Sequence, residues 1–306
     1  MDIYCDSWEI GDLVADYGAG PSALILNENV VSFDIHAASK EGLSPKIEFV
    51  DPIDQNTITI ENQAESVKVV ESGNGLRVVS RPFQQGLVLI GQIELNKTVR
   101  VTAAVPQPNI RFARALGNVL NITRVRFDRC RSTASPIASV ESASLTELMH
   151  HCLLVSDNLY AESFMKRVAV ESSSTARLSY TQAATLTHSH LPVSVQALSR
   201  PVDGSGLSRH DLVAPRGLRL LFEDVLIKHG YSPANKYVKL LPIGGVSGTL
   251  KHRFKGTPVE GRVHAKTGTM TGVNALSGVL MMPNRPCVVF SFIVNQSERS
   301  SHEVRQ

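Results

Sequence analysis

Two short runs hold the residues best suited to chemistry. Ser156-Asp157-Asn158 offers a hydroxyl and an amide. Lys266-Thr267-Gly268-Thr269, 110 residues further on, offers an ammonium and two more hydroxyls. Such groups serve nucleophilic acyl transfer, where a proton must be relayed and an anion held at one spot. Either run alone is a weak signal. A given tripeptide arises by chance on the order of a few per cent of the time in a chain this long, and Ser-Asp-Asn is also a good cap or turn. The order, the spacing and the flanks make the pair much stronger. The third part of such a constellation, a Ser-x-x-Lys carrying the nucleophile, precedes neither run.

The flanks say how each run would be positioned. Ser144-Leu145-Thr146-Glu147 reads as a capping box that opens a helix. Leu145, Leu148, Met149 and Cys152 then recur at helical spacing, and a second stripe follows at Ala161, Phe164, Met165 and Val168. Ser156-Asp157-Asn158 lies between the two, in a short connection able to push a hydroxyl and an amide into a cleft from a rigid base. The lysine run leads into Val273–Leu280, and Pro286 precedes Cys287–Val294, all rich in β-branched and aromatic residues. Neighbouring strands are predicted there. Gly268 inside a strand predicts close approach of another backbone, such as a bound peptide along that edge.

Further runs accompany these: Asp203-Gly204-Ser205-Gly206-Leu207-Ser208-Arg209; Leu241 to Leu250; Arg253-Phe254-Lys255-Gly256-Thr257; and, near the start, Trp8, Tyr17-Gly18-Ala19 and Leu24 to Asn29. Together with the two motifs, they make the chain resemble the D-alanyl-D-alanine carboxypeptidase/endopeptidase family of serine peptidases, which carries domains inserted between its first and second motifs. The resemblance is strong from Ser144 to Gln296 and weaker before that.

The resemblance implies an α+β protein: a penicillin-binding/β-lactamase-like transpeptidase domain at 131–306 and a β-rich inserted subdomain, with a helix near its end, at 1–130. It implies catalytic roles for Ser156, Asn158 and Lys266 and substrate binding by Thr267, Gly268 and Thr269. The reaction would be hydrolysis of a peptidoglycan stem peptide, with β-lactams as the other ligands. Alternatives are a non-catalytic muropeptide- or β-lactam-binding relative, or a β-lactamase or esterase of the same fold. Family members carry Ser-x-x-Lys upstream of the insertion and continue into a last helix. Met1 would fall inside the insertion and Gln306 would precede that helix. The expectation is therefore an incomplete domain, inactive alone, with an apolar sheet face around Val279, Val288, Phe290 and Phe292 partly uncovered.

The one Ser-x-x-Lys in the chain, Ser163-Phe164-Met165-Lys166, follows Ser156-Asp157-Asn158. Opposite the apolar stripe, it reads as a solvated helix surface, with Glu162 and Lys166 an ordinary i, i+4 pair.

Length predicts roughly two domains, and 42% apolar residues suffice for a packed core. The net charge of +3 shows no basic stripe with interleaved aromatics, so no nucleic-acid partner is expected. No run reaches membrane-spanning length. Met1 to Gly11 contains Asp2, Asp6 and Glu9 and does not read as a signal peptide, although the family is typically exported to the periplasm or cell wall. Cys5, Cys130, Cys152 and Cys287 form no C-x-x-C pattern. His150-His151 and His188-Ser189-His190 lack an acidic or cysteine partner at ligand spacing, so neither a metal nor a cofactor is predicted.

Between Ala23 and Val105 the chain reads as β-rich. Val31, Phe33 and Ile35 alternate with polar residues as in a half-buried strand. Ser72-Gly73-Asn74-Gly75 suggests a hairpin joining Val67–Val70 to Leu76–Val79, and a helix is predicted from Ile110 to Leu120.

Overall fold

A computed structural model describes residues 2–80, 86–122, 135, 138–173, 178–231 and 235–305. Cys130 and the expected boundary at 130–131 lie outside these residues. The chain forms two compact units: Met1–Ser7 with Glu141–Gln306, and Trp8–Val140.

The Trp8–Val140 unit is β-rich. Strand β1 (Val30–His36) alternates buried and half-buried residues as predicted, with Val31, Phe33 and Ile35 in the core. It lies between β2 (Lys46–Phe49) and β8 (Thr98–Ala104), antiparallel to both. The remaining strands are β3 (Ile60–Asn62), β4 (Glu65–Val67), β5 (Arg77–Val79), β6 (Leu87–Ile90) and β7 (Gln92–Glu94), and helix α1 (Pro108–Val119) follows β8.

The predicted hairpin does not form. β4 pairs with β7 and β5 pairs with β6. A turn does occur at the expected place, where the Asn74 N–H donates to the Glu71 carbonyl at 3.0 Å. The strands prefer 87–94 as partner because Leu87, Val88, Leu89 and Ile93 bury completely there, whereas Val69 in the would-be hairpin stays 78% exposed.

The second unit carries the candidate chemistry. Helices α2 (Leu145–Val155), α3 (Asn158–Glu171), α4 (Tyr180–Ser189) and α5 (Val193–Gln196) come first. The two-residue strands β9 (Ser199–Arg200) and β10 (Leu212–Val213) and helix α6 (Pro215–His229) follow. An antiparallel meander of β11 (Val263–Met270), β12 (Val273–Leu280) and β13 (Val288–Asn295) closes the unit, with a short helix α7 (Ser301–Val304) after it. The capping box opens α2 as the sequence predicts, and the three strands lie where their residue types place them.

The meander has two apolar sides. Leu226 of α6 packs with Val238, Val279 and Met281 on one, and Leu250 packs with Val263, Ala265 and Leu276 on the other. Of the sheet face expected to be uncovered in part, Val279 is fully buried, while Val288 and Phe292 are 48% and 63% exposed.

Helix α3 departs from the sequence reading. Its buried residues are Leu159, Glu162, Met165 and Ala169. The expected apolar stripe of Ala161, Phe164, Met165 and Val168 lines, with Met149 and Leu153, an apolar cavity of about 340 Å³. Glu162 is not a surface partner of Lys166 but fully buried. Its carboxylate accepts from the Gly204 N–H at 3.0 Å and the Ser205 N–H at 2.8 Å. Backbone donors brought from a distant loop outweigh the helix-surface preference of a glutamate.

Candidate active site

Ser156 sits where two helices meet. The last turn of α2 closes as the Ser156 N–H donates to the Cys152 carbonyl, which puts Ser156 in the left-handed region (φ 66, ψ 51). Asp157 then caps α3, accepting from the Tyr160 N–H at 3.1 Å. A non-glycine residue in that region costs about 1 kcal/mol, and both flanking helix ends hold it there. Asn158 is the first residue of α3, so the motif's hydroxyl and amide share one rigid corner.

Lys266 on β11 reaches that corner. Its Nζ donates to Ser156 Oγ at 2.6 Å and to the Thr267 carbonyl at 2.8 Å. The structure therefore brings together the two motifs that the sequence singled out. Burial lowers the Lys266 pKa, and the nearby Cys152 thiol acts weakly in the other direction. Cys152 is a core thiol as expected. Burial, then the charge of Asp157, push it up to about 11, so it carries little thiolate.

Thr267 and Thr269 line a cavity of about 650 Å³ together with Ser156. The Thr267 hydroxyl donates to Thr249 Oγ1 at 2.9 Å, and Arg305 Nη2 donates to Thr269 Oγ1 at 2.5 Å. Gly268 is exposed. Among the described residues a side chain there would meet only the Ala275 Cβ, at 3.4 Å, and no other backbone of these residues makes the predicted close approach. Gly248 is the tighter glycine. At φ +55 it lies against the Leu154 carbonyl of α2, where a Cβ would fall at 2.4 Å, and this contact seats Thr249 beside Thr267.

The lone Ser-x-x-Lys lies elsewhere in the hydrogen-bond network. Ser163 Oγ donates to the Leu159 carbonyl at 2.7 Å. Lys166 Nζ donates to the Asp2 carbonyl at 2.6 Å and stands 4.4 Å over the Tyr180 ring. Burial draws the Lys166 pKa down to about 8, so the solvated-surface reading does not hold for it.

Three of the four histidines in these runs make hydrogen bonds: His188 Nε2 with Ser199 Oγ at 2.9 Å, His190 Nε2 with Ser172 Oγ at 2.7 Å, and His150 Nδ1 with the Leu240 carbonyl at 3.3 Å. His151 Nε2 lies 3.7 Å from Asp157 Oδ2, an acidic neighbour that the sequence reading did not expect. Sequence reasoning missed Glu162, Thr249, Arg253 and Arg305. Arg253 stood in a run noticed for its likeness alone. Gly248 beside Thr249 was the available signal for a close approach.

Among the described residues no helix is long and apolar enough to cross a membrane. The structure matches penicillin-binding protein 4 (dacB) of Haemophilus influenzae with a TM-score of 0.80 at 23% identity, covering 98% of this chain and 68% of that one. A structure of the same protein complexed with a β-lactam matches with a TM-score of 0.76 at 23% identity, over 93% of this chain and 67% of that one. The fold is thus the mixed helix-and-sheet fold of the penicillin-binding proteins.

A profile of the D-Ala-D-Ala carboxypeptidase 3 (S13) family matches residues 2–306, and the chain belongs to that family. It is 31% identical over 314 residues to penicillin-sensitive carboxypeptidase A of Dictyostelium discoideum, spanning 97% of this chain and 60% of that one. It is 36% identical over 172 residues to the D-alanyl-D-alanine carboxypeptidase of Actinomadura sp. strain R39, spanning 53% of this chain and 30% of that one.

Proposed function

We propose that these residues form the proton-relay and carboxylate-binding part of a serine-type D-Ala-D-Ala carboxypeptidase site, which acts on peptidoglycan stem peptides and accepts β-lactams. The observation that carries this reading is the hydrogen bond from Lys266 Nζ to Ser156 Oγ, made across 110 residues at the rim of a peptide-sized cavity. Family membership, the names of the curated relatives and the β-lactam complex of the Haemophilus protein support it.

In the complete reaction a serine hydroxyl from a Ser-x-x-Lys gives its proton to that motif's neutral lysine and attacks the carbonyl of the penultimate D-alanine, forming an acyl-serine ester that water later hydrolyses. The peptide C–N bond breaks and the leaving amine nitrogen takes a proton from Ser156, whose oxygen is recharged through Lys266. Because Lys266 donates to Ser156 Oγ, the serine's own proton is free to point at the substrate. Asn158 holds the substrate amide. Thr267 and Thr269 hold the terminal carboxylate, and the Thr269 N–H is half of the oxyanion hole, a donor whose loss costs about 3–4 kcal/mol in comparable sites.

Ser163 and Lys166 supply no such nucleophile, since both are committed to backbone carbonyls. That observation favours a second reading for these 306 residues acting by themselves: a non-catalytic binder of the same ligands.

Titration of N-acetyl-D-Ala-D-Ala by calorimetry tests the site. Saturable binding that Lys266→Ala weakens about tenfold or more is expected; equal affinities for wild type and Lys266→Ala would reject it. Intact mass after incubation with a penicillin separates the two readings. No covalent adduct is expected on this chain, and a stoichiometric adduct on Ser163 would overturn the reading of that serine.

A further inference from the structure

Ser156 is built as more than a relay. Among the described residues its hydroxyl has Lys266 Nζ as sole hydrogen-bond partner, at 2.6 Å. Lys266 is oriented in turn by the Thr267 carbonyl at 2.8 Å. A hydroxyl, a base within hydrogen-bond reach and a third group that holds the base are the parts of an activated nucleophile. The backbone adds a second observation. Ser156 is a non-glycine residue at φ 66, and α3 begins two residues later. A strained serine on a turn that leads into a helix holds its hydroxyl out to substrate, as a nucleophile elbow does. Here the turn joins two helices, and Ser156 lines the cavity of about 650 Å³.

The lysine contact works in both protonation states. Charged, Lys266 donates to Ser156 Oγ. Neutral, it accepts the serine proton over the same distance and still donates to the Thr267 carbonyl. Burial favours the neutral form. Negative charge that grows beside Ser156 meets the N-terminal end of α3, a helix of 14 residues, and Arg253 and Arg305 line the same cavity. The Asp157 carboxylate opposes that charge, but it accepts the Tyr160 N–H of the same helix end at 3.1 Å. Ser163 and Lys166 supply the contrast. Their hydrogen bonds go to the Leu159 and Asp2 carbonyls, so they do not activate one another.

We propose that Ser156 and Lys266 form a serine–lysine dyad in their own right, with Ser156 as the nucleophile toward esters that carry a good leaving group, such as aryl esters. Ser156 Oγ gives its proton to neutral Lys266 and bonds to the ester carbonyl carbon. The bond from that carbon to the aryl oxygen breaks, the phenolate leaves with the electron pair, and Lys266 gives the proton up to solvent. Water then attacks the acyl-Ser156 ester and passes a proton to Lys266. Lys266 returns it to Ser156 Oγ as the carboxylic acid departs. An aryl ester needs no proton on its leaving oxygen. An amide or a β-lactam needs one at nitrogen, and the group assigned above to supply it is Ser156 itself. Ester cleavage therefore goes beyond the peptide reading and does not rest on it.

The test incubates the 306-residue chain with p-nitrophenyl acetate and, separately, with a fluorophosphonate, whose phosphorus bonds to an activated serine oxygen as fluoride leaves. Release of p-nitrophenolate is expected about 100-fold faster than in Ser156→Gly or Lys266→Met. Ser163→Ala should match wild type. Glycine takes the left-handed backbone without strain, so Ser156→Gly removes the hydroxyl and keeps the corner. Peptide mapping of the fluorophosphonate adduct needs no variant, and the label is expected on Ser156.

Equal release by wild type and Ser156→Gly, or a label on Ser163, Lys166 or Lys266 in place of Ser156, would overturn the dyad. Binding of N-acetyl-D-Ala-D-Ala with no label on Ser156 would overturn it too, while leaving the peptide site standing. A label on Ser156 without peptide binding would support the dyad and reject the peptide reading.

Discussion

Arginine is used in opposite ways in the two units. In the Trp8–Val140 unit, Arg111 is 2% exposed and makes a two-pronged pair with Asp54, itself 1% exposed, at 2.5 and 2.8 Å, and its third branch donates to the Leu26 carbonyl at 2.6 Å. Every prong meets an acceptor inside the unit. In the other unit, Arg253 has a buried Nε with no hydrogen-bond partner among the described residues, and with Arg305 it lines a cavity that no described aspartate or glutamate lines. The paired arginine is architecture. Arg253 and Arg305, with no carboxylate partner among the described residues, instead line the cavity beside Ser156, Thr267 and Thr269.

The largest effect should come from breaking the paired arginine. Arg111→Ala leaves Asp54 buried and uncompensated, and urea unfolding should show a loss of about 3–5 kcal/mol. Arg253→Gln should cost less than about 1 kcal/mol, because it relieves a like-charge contact while giving up some packing. Similar losses from the two variants would erase the distinction between the units.

The next effect is one of pH, at the carboxylates beneath the Asp203–Arg209 loop. Burial, then the charge of Asp203, push Glu162 up to about 7. Burial and the adjacent Asp203 also raise Asp211. A carboxyl whose folded pKa lies above its unfolded value of about 4.3 stabilises fully at low pH, and that stability is lost as pH rises through the folded value. Unfolding free energy should therefore fall by roughly 3 kcal/mol for Glu162 between pH 4.5 and 8. Glu162→Gln should flatten the profile; a profile that rises with pH would refute it.

Lys266→Ala should change stability by less than about 1 kcal/mol, since burial already works against its charge, while peptide affinity falls about tenfold or more. A large loss in thermal unfolding without a loss of binding would turn Lys266 into a structural residue. The smallest effect belongs to Ser163→Ala. Its hydroxyl only back-bonds to Leu159 within the helix, and stability should stay within about 0.5 kcal/mol of wild type. Altered β-lactam binding in that variant would reopen the question of its role.

What could be read from the chain was local or carried by motif. The capping box at Ser144–Glu147, the strand alternation at Val31–Ile35 and the three closing strands are patterns of neighbouring residues, and they persist whatever the rest of the molecule does. Ser156 and Lys266 were legible as a pair because their flanks place both on rigid elements.

What the sequence could not carry was decided by partners from far along the chain. The Val67–Val79 hairpin looked sound locally but lost to strands from 87–94 that bury more apolar surface. Glu162 looked solvated until the 203–205 loop set two N–H donors upon it. Arg253 and Arg305 are ordinary cations in sequence. Only the packing of the Gly248–Leu250 turn and of α7 around Thr267 and Thr269 makes them a pair facing one cavity. Periodicity and capping are set by residues a few positions apart, so sequence alone determines them. Burial of charge and the shape of a cavity depend on which distant groups arrive, and only the tertiary structure decides that.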